Sequence, residues 1–559
     1  MDFLKVPKQD TKHAEEILKR YDAANSDMQT WLSTLQNVYS LVLPNKAKFS
    51  VKDRTPGQSD YTAHVYDWTA VIGAEQYASN LIANLMPSGT NWFELSVGRK
   101  HKGQQADAGK GTQDLLAHMT KTIFDVLNSS NFYQSVHQSL MEMSISTGVL
   151  LVNETADIDH PLTFTSVPLH ECCFEAGPSQ EIQNVYRKFE LEGHAMLGQW
   201  PKAKWSQSVL DIIKDDPKSK FTVIESTVKH TDKPIHKEWC YSVVLQDTSE
   251  TALIEYRSYS PFITFRPMVY SGELLGRGVM LNMISAIRTL NRLAEDELRL
   301  NAYMAKPIFM SPSGSGAINP YMVKIQPGCI IPYQADAASN RPPIEQLTIQ
   351  GNLQYTQVNS QQIKSELVRA LGVNPVQPDG NAQETATRTQ LLNEDWIKRN
   401  QEMFGRLTPE LCTPLIKTVF HILHRMGYWK MPIIDGQIID IEFTSPIMDT
   451  QKKQNVSRMM QYAQALQQTV GPQEALTAFA YGIDITEYPT WLAEQLNIDS
   501  PIRRGDLSKS AMMSAAKQQM QMQGQQQQPQ PTTPGGFNGQ QQGLPGQQPA
   551  PAAGAGAGV

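Results

Sequence analysis

Apolar side chains recur at helical spacing over several long stretches of the chain. Between about Thr62 and Met86 they fall every three or four residues, which predicts an amphipathic helix that Pro87 ends. The stretch from Gly276 to Ala305 shows the same period. Further helices are predicted at residues 11–43, 111–128, 131–147, 352–371, 384–426, 449–469, 472–481, 488–496 and 507–523.

The pattern changes between Gly148 and Tyr270, where short apolar runs alternate with polar side chains. The strands predicted there are GVLLVNE, LTFTSVP, VYRKFELE, FTVIESTVKH and WCYSVVLQ. A helical insert is predicted at residues 190–215, and a hairpin at 432–443 around Asp435-Gly436. Helices and strands in separate runs predict a mixed α+β fold class.

The helix predicted from Gly276 to Ala305 has a wide apolar face. At roughly 100° per residue, this face includes five candidates for helix packing, Ile284, Ile287, Leu290, Leu293 and Leu298. The opposite side carries four charged residues, Arg288, Arg292, Glu295 and Arg299. An apolar arc this wide suits a helix packed between two neighbours, and it equally suits a helix half-buried in its own domain.

Proline and glycine punctuate the region that follows. Residues 311–345 contain many of both around short apolar runs, which predicts a compact β-rich excursion. The helix at 352–371 is predicted to end on Gly372 as a C-cap. Its predicted inward side chains are Tyr355, Val358, Ile363, Leu367 and Leu371. Residues 373–385 are predicted to form a loop, and Pro409 and Pro414 to break or bend the long helix beyond it.

Composition and charge narrow the classes of function. The net charge is −6, whereas a protein whose main task is to grip phosphates is normally basic. The five cysteines show no metal-ligand spacing and are predicted to be reduced thiols of a protein made in a cytoplasm. We expect no signal peptide and no membrane span. The Gln, Pro, Gly and Ala tail lacks the apolar residues needed to fold, so it is predicted to be disordered.

Motifs for catalysis, metals and cofactors are missing from the sequence. There is no Walker A lysine motif, no GxSxG and no HExxH. The glycine-rich run Gly272–Gly278 follows no convincing parallel strand, so a connection into the next helix is favoured over a phosphate loop. His421 and His424 share a helix face without a nearby carboxylate, which favours a packed or surface pair over a metal site. Tyr428 and Trp429 are interpreted as core closure rather than a stacking platform for nucleic acid.

Three segments together resemble the portal, or head-to-tail connector, family of short-tailed, podovirus-type (T7-like) bacteriophages. The first is SNLIANLMPSGTNWFELSVG at 79–98, a helix, a proline turn and an aromatic strand. The second runs from Tyr270 through SGELLGRG and a long helix to AKPIF. The third, at 380–429, contains a Thr-Ala start and the segment LCTPL. It departs from the family pattern at Arg425-Met426-Gly427, where an Arg-Gly pair is expected. In order and spacing the resemblance covers about residues 10–445.

The resemblance implies a portal fold with a mixed wing, long stem helices, a small β-rich clip, a helical crown and a disordered tail. The implied regions are the wing at 1–275, stem helix 1 at 276–306, the clip at 307–350, stem helix 2 at 351–372, a tunnel loop at 373–385, a wing helix and hairpin at 386–446, the crown at 447–525 and the tail at 526–559. In this arrangement the five packing candidates lie in stem helix 1.

The resemblance also implies a function and partners. It implies a structural protein rather than an enzyme, without cofactor or metal. About twelve subunits would form a ring at one capsid vertex of the virion, as the channel for DNA packaging and ejection. The partners implied are double-stranded DNA bound without sequence preference, terminase, major capsid and scaffolding proteins, and tail adaptor proteins. The candidates to face DNA in the channel are Asn381, Gln383, Thr385 and Arg388, which equally suit an ordinary loop and helix N-cap.

Three other interpretations remain open. One is another virion component, such as a core, ejection or scaffolding protein, against which the strand-rich stretch 148–270 argues. The second is a nucleic-acid-processing or other enzyme whose residues meet only in the fold. The third is a soluble binding module that uses its Gln/Pro tail, for which deletion of residues 524–559 would matter greatly.

Overall fold

Helices and antiparallel strands are both present, which confirms the α+β class. The computed structural model describes, apart from isolated positions, residues 11–46, 62–97, 110–155, 160–230, 238–313, 326–334, 344–347, 353–372, 395–429 and 439–444. All of these ranges belong to one unit, Met1–Gln454. The predicted crown helices and the predicted disordered tail lie outside the described residues.

The first part of the chain forms four helices that bury their apolar faces together. They are α1 (Thr11–Val42), α2 (Thr69–Leu85), α3 (Lys110–Ser129) and α4 (Phe132–Met143). The end of α1 is tied to α4 by Glu142, whose buried carboxylate accepts hydrogen bonds from Lys46 Nζ at 2.8 Å and Tyr39 Oη at 3.2 Å. The four helices were predicted, and α1 ends just before Pro44 as expected.

Two helix boundaries were predicted wrongly. Helix α2 begins at Thr69 and not near Thr62, because backbone groups of residues 64–67 form hydrogen bonds with the side chain of Asn291 instead of with a helix. The N–H groups of Tyr66 and Asp67 both donate to Asn291 Oδ1, at 2.7 and 3.1 Å. Helix α4 ends at Met143 and not at residue 147. The carbonyl groups of Ser144 and Ile145, just after this helix, accept hydrogen bonds from the segment that begins α7, described below.

Two antiparallel sheets form the strand-rich part of the unit. The smaller has the order β3-β2-β9, with β2 (Gly148–Glu154) between β3 (Leu162–Ser166) and β9 (Phe262–Phe265). The larger runs in sequence order through β4 (Cys172–Ala176), β5 (Ile182–Glu192), β6 (Lys220–Lys229), β7 (Trp239–Leu245) and β8 (Glu250–Arg257). The five predicted strands are confirmed, whereas β4 and β8 were not recognised from the sequence.

The predicted helical insert forms two short helices between β5 and β6. They are α5 (Gly193–Gln199) and α6 (Gln207–Asp215). The insert starts later than residue 190 because β5 continues to Glu192, where it still pairs with Lys220 of β6. The end of β5 agrees with the predicted strand VYRKFELE, so only the predicted start of the helical insert was wrong.

A polar cluster is buried within the larger sheet. Glu225 on β6 is fully buried, and it accepts a hydrogen bond from Tyr241 Oη at 2.6 Å. Arg187 Nη1 lies 3.6 Å from the same carboxylate. Burial raises the pKa of Glu225 above its ordinary value, and the attraction of Arg187 opposes this shift only in part. Buried charges of this kind require such partners, because an unpaired charge inside a protein is strongly destabilising.

The helix predicted from 276 to 305 is interrupted. Its first turn is α7 (Val279–Asn282), and the rest is α8 (Ile284–Ala305). Met283 between them departs from helical geometry, with φ −100° and ψ 13°. After the excursion the chain returns as α9 (Leu353–Ala370), and Gly372 with φ +69° ends it as the predicted C-cap. Helices α8 and α9 pack against each other.

Because Gly278 has no side chain, the start of α7 can approach the end of α4 closely. The N–H groups of Gly278 and Met280 donate to the carbonyls of Ile145 and Ser144, each at 2.9 Å. Ser146 Oγ donates to the carbonyl of Gly276 at 2.6 Å. A Cβ on Gly278 would lie 2.1 Å from the Ser144 carbonyl oxygen, so only glycine fits. The orphan donors at the start of α7 are thus satisfied by the orphan acceptors at the end of α4.

The predicted β-rich excursion forms a small mixed sheet. Its order is β11-β10-β12, with β10 (Ile308–Ser313) parallel to β11 (Ile330–Gln334) and antiparallel to β12 (Glu345–Leu347). The residues between these strands lie outside the described ranges. The sheet begins directly after α8, because Pro307 cannot continue the helix.

The remaining helical region is not broken at Pro409 or Pro414, but it takes π-helical geometry around Pro409. The predicted bend stays a prediction. A turn of helix at 395–399 precedes α10 (Gln401–Leu407), and a π-helical segment (Thr408–Cys412) connects it to α11 (Thr413–Met426). Gly427, with φ +90°, ends α11. The second half of the predicted hairpin is β13 (Ile439–Phe443), which pairs with β1 (Phe93–Val97). The first half lies outside the described residues.

Substitution of Gly278 tests the contact between α7 and α4. We expect Gly278→Ala to destabilise the unit by about 3 kcal/mol or more, because the added methyl group meets backbone atoms that have no room to move. Thermal or denaturant unfolding measures this loss. The matched control is Gly405→Ala in α10, where a Cβ meets nothing within 4 Å. That variant is expected to gain about 0.5–1 kcal/mol, and equal losses in both variants would contradict the close approach.

Candidate assembly face and loop base

The helical pair α8–α9 is only partly covered within one chain. The packing candidates Ile287 and Leu290 are buried, with 4% and 2% of their surface exposed. Ile284 and Leu293 are half-buried, and Leu298 is 56% exposed. The wide apolar arc of the sequence is therefore split into a part that packs inside the subunit and a part left open. Whether the open part packs between subunits stays a prediction.

Helix α9 shows the same division. Leu367 and Leu371 are buried as predicted, whereas Val358, also predicted to point inward, is 61% exposed. The prediction for Val358 was wrong because it lies nine positions before Leu367, which at roughly 100° per residue places it on the opposite side of the helix. Val358 and Leu298 are consequently exposed large apolar side chains on α9 and α8.

The pair runs antiparallel and is fixed at its base by α2. A Cβ on Gly73 would meet Leu371 Cδ1 at 2.5 Å and Met280 Cε at 3.6 Å, so the end of α9 and the start of α7 meet at the same point of α2. Asn80 Nδ2 donates to the carbonyl of Gly372 at 3.2 Å. The two helices therefore leave the body of the unit together.

A strap formed by residues 64–67 holds the pair farther along. Asn291 on α8 accepts from the N–H groups of Tyr66 and Asp67 and donates to the carbonyl of His64 at 2.9 Å. The Asp67 carboxylate lies 2.7 Å from Lys364 Nζ on α9. Burial alone would raise the pKa of Asp67, but the bonds from Lys364 and Thr69 outweigh it and lower that pKa. The strap thus ties both helices of the pair to the residues before α2.

The charged side of α8 is exposed, as the sequence predicts. Arg288, Arg292 and Arg299 all face solvent, and Arg299 Nη2 lies 2.5 Å from Glu295 Oε1. Ion pairs this exposed contribute little to stability. Among the described residues no ion pair is formed by Arg288 or Arg292.

The ends of the 373–394 segment meet at one contact, here called the loop base. Trp396 packs directly on Gly372, where a Cβ would lie 2.0 Å from Trp396 Nε1. Trp396 also packs edge-on against Phe404 of α10, with ring centroids 5.4 Å apart. Tyr77 Oη of α2 donates to Met403 Sδ at 3.0 Å. The loop base is thereby attached to α2 on one side and α10 on the other.

The candidates to face DNA cannot be placed. Asn381, Gln383, Thr385 and Arg388 all lie outside the described residues. Only the loop base is described, and it shows that the segment carrying them starts and ends at the same place on the body.

Arg266 forms a hub that the sequence did not reveal. Its guanidinium and backbone N–H bind the Glu410 carboxylate of the π-helical segment, with Nη2–Oε1 at 2.8 Å and N–Oε2 at 2.9 Å. Nη1 donates to the carbonyls of Leu274 at 3.0 Å and Gln180 at 3.2 Å. Because Glu410 lies 144 positions along the chain from Arg266, no local pattern in the sequence pointed to this pairing.

The other sequence candidates pack within the unit, apart from Tyr428, which is 46% exposed, so the interpretation as core closure was wrong for this residue. The run Gly272–Gly278 connects to α7 as favoured, with Arg277 paired to Glu273 at 2.6 Å. His421 stacks on Tyr259 at a centroid distance of 6.0 Å, and Trp429 packs on Phe420 at 5.0 Å. Within the described ranges no three His, Cys, Asp or Glu side chains are placed to hold a metal ion. No described helix is long and apolar enough to cross a membrane.

The five cysteines are free thiols, as the sequence predicts. Four of them are buried, namely Cys172, Cys173, Cys240 and Cys412. Burial raises the pKa of Cys173 and of Cys412 to about 12, so both are protonated at neutral pH. A protonated buried thiol is a poor nucleophile, which fits a role in packing.

Comparison with known proteins places the chain among phage structural proteins. The family model described as bacteriophage head to tail connecting protein matches residues 14–503. The chain is also 20% identical over 460 residues to a probable portal protein of Bordetella phage BPP-1. That match covers 78% of this chain and 79% of the relative.

The strap should make stability depend on pH through Asp67. A carboxyl whose folded pKa is lowered stabilises the fold above its unfolded pKa and loses that contribution as pH falls through the folded pKa. We therefore expect Asp67→Asn to cost about 1 kcal/mol at pH 7, with the difference from the natural protein shrinking below about pH 4. Denaturant unfolding at pH 3, 5 and 7 measures it.

The matched control is Asp211→Asn on α6, which breaks an exposed pair with Lys214 at 3.6 Å. It should leave stability nearly unchanged at each pH. A difference for Asp67→Asn that stayed constant between pH 7 and pH 3 would show that the strap does not depend on this carboxylate's charge.

Proposed function

The chain belongs to the family of bacteriophage head to tail connecting proteins, and from this we propose that its subunits form a ring that serves as the portal at one capsid vertex. DNA passes through the ring during packaging and ejection. Terminase docks on it first and tail adaptor proteins later, while major capsid and scaffolding proteins surround it during assembly. The family match over residues 14–503 carries this proposal.

The open apolar residues of the α8–α9 pair support the ring. We assign this pair to the stem, residues 276–306 and 351–372. Leu298 and Val358 are exposed in the single chain, and burying such side chains against a neighbouring subunit contributes favourable free energy in proportion to the area covered. A ring formed by one kind of subunit joins two different faces of that subunit, one on each side. The two helices offer faces of this kind.

The small sheet β11-β10-β12 is proposed as the clip, the docking site for terminase and adaptor proteins. It follows the far end of α8 and precedes α9, so it lies at the tip of the pair and away from the α2 base. Ile330 and Ile344, at the edges of this sheet, are both exposed. Exposed apolar side chains on strands that are outermost among the described residues favour binding to another protein chain.

The loop that starts and ends at the loop base is proposed to face DNA. We keep Asn381, Gln383, Thr385 and Arg388 as its contact candidates. Neutral polar side chains exchange hydrogen bonds with phosphates at low cost, whereas a dense basic lining would hold the polymer in place. The net charge of −6 fits a channel that lets DNA slide. The wing (1–275 and 386–446), the crown (447–525) and the tail (526–559) complete the proposed subunit.

Native mass spectrometry with negative-stain imaging tests the ring. We expect assemblies of about twelve subunits with a central hole. Leu298→Asp should reduce assembly, because a charge then enters the contact, while the folded subunit persists. The control Ile212→Asp changes an exposed apolar side chain of α6 and should assemble normally. A natural protein that stays monomeric even with scaffolding protein present would overturn the portal assignment.

Deletion of residues 376–383 tests the loop. Because the loop base holds both ends together, the deletion should leave rings intact while lowering the amount of DNA packaged or retained. Replacing the same eight residues by Gly and Ser separates the loss of length from the loss of side chains. If neither variant forms rings, the loop is an architectural element and does not act on DNA.

A further inference from the structure

We infer that Arg266 is a positioning residue, which through Glu410 couples the start of the α7–α8 helices to the loop base. Arg266 has 5% of its side chain exposed and touches three other segments of the unit. One of these segments leads to the loop base, one leads to α7, and the third is the turn between β4 and β5.

The first contact of Arg266 fixes the π-helical segment. Three nitrogen atoms of Arg266 reach the two carboxylate oxygens of Glu410, including the backbone N–H. The planar guanidinium matches a carboxylate in two places, so it specifies orientation as well as distance. Glu410 is therefore held in one position relative to β9, the strand that Arg266 follows.

The π-helical segment in turn sets the position of α10. Thr413 N–H donates to the carbonyl of Thr408, five residues earlier, where an α-helix would bond four residues earlier. The segment contains one residue more than the turn it replaces, and Pro409 supplies no N–H to the helix. Arg406 Nη1 of α10 lies 3.6 Å from Glu410 Oε1, so a fixed Glu410 also bears on the position of this helix. From α10 the chain reaches the loop base through Phe404 and Trp396.

The second contact of Arg266 fixes the segment that leads into α7. Leu274, whose carbonyl accepts from Nη1, comes two residues before Gly276. Gly276 and Gly278 are the residues seated on the end of α4. If Arg266 moves, we therefore expect both the start of α7 and the position of α10 to change with it.

The third contact braces the guanidinium from the side of the larger sheet. Gln180, in the turn between β4 and β5, has φ +58°, which is uncommon for a residue other than glycine. Its carbonyl accepts from Nη1 at 3.2 Å. Arg266 is thus held from three directions, as a residue that transmits position must be.

Coupling of this kind exists within each subunit and does not need a ring. Its consequence for DNA rests on the proposed function: a force on the loop would reach the stem through Arg266. The test below is made on the full chain and can fail or succeed regardless of whether rings form.

Hydrogen exchange with mass spectrometry tests the coupling. In Arg266→Met we expect amides in residues 395–412 and 274–282 to exchange about tenfold faster or more, with α3 and β6 unchanged. The control is Arg277→Met, which breaks the Arg277–Glu273 pair in the same connecting segment without touching Glu410. It should leave exchange in 395–412 as in the natural protein.

A double variant separates position from stability. Arg266→Met with Glu410→Leu removes both charges of the Arg266–Glu410 pair. It also removes the partner of Arg406, whose Nη1 lies 3.6 Å from Glu410 Oε1 but whose side chain keeps 29% of its surface exposed. The melting temperature should therefore recover part of the way toward that of the natural protein. Fast exchange in 395–412 and 274–282 should nevertheless persist. If protection returns in both segments, the pair is merely structural and the inference is wrong. Faster exchange in only one segment, or equally across the unit, in Arg266→Met would also overturn it.

Discussion

The described unit depends on one close approach of backbone to backbone. At Gly278 the chain comes so near the end of α4 that a Cβ would overlap the carbonyl of Ser144. The contact joins the last acceptors of one helix to the first donors of another, and buried hydroxyl groups of Ser146 and Thr147 satisfy Gly276 beside it. Helix α4 leads into β2, and α7 leads into α8. The helical layer, the smaller sheet and the α8–α9 pair are thereby held at a single junction.

Large apolar side chains are exposed to different degrees in different parts of the unit. The body around α1 to α4 and the two antiparallel sheets buries many of them, including Trp92, Tyr39 and Phe265, and the exposed ones there reach 51% at Ile72. The α8–α9 pair and its small sheet leave Leu298, Val358 and Ile330 between 56% and 64% exposed, because within the described residues the pair contacts few elements besides α1, α2 and α7. A surface of this kind is costly for an isolated subunit and becomes favourable when copies assemble. The same division explains why the pattern of α8 alone was compatible with two interpretations.

Local pattern was sufficient for much of this fold. The bounds of β2 and the end of α1 at Pro44 follow from periodicity and from proline. The start of α2, the break at Met283 and the exposure of Val358 do not, because each is decided by partners distant in sequence or by the far side of a helix. The hub at Arg266 is the extreme case, since neither Arg266 nor Glu410 belongs to a motif. Of the candidate site, the five helix-packing residues of α8 could be placed and the candidates at 381–388 could not.

The π-helical segment also bears on how this chain can tolerate change. It contains one residue more than an α-helical turn, so one residue can be removed there without shortening the α-helical turns on either side. Loss of a single residue between 408 and 412 can be absorbed by a return to α-helical bonding, and the buried faces of α10 and α11 keep their relation. A loss inside either flanking helix would turn everything beyond it by about 100° and take its apolar side chains out of the core. In related chains, single-residue gaps should therefore collect at this segment and spare both helices.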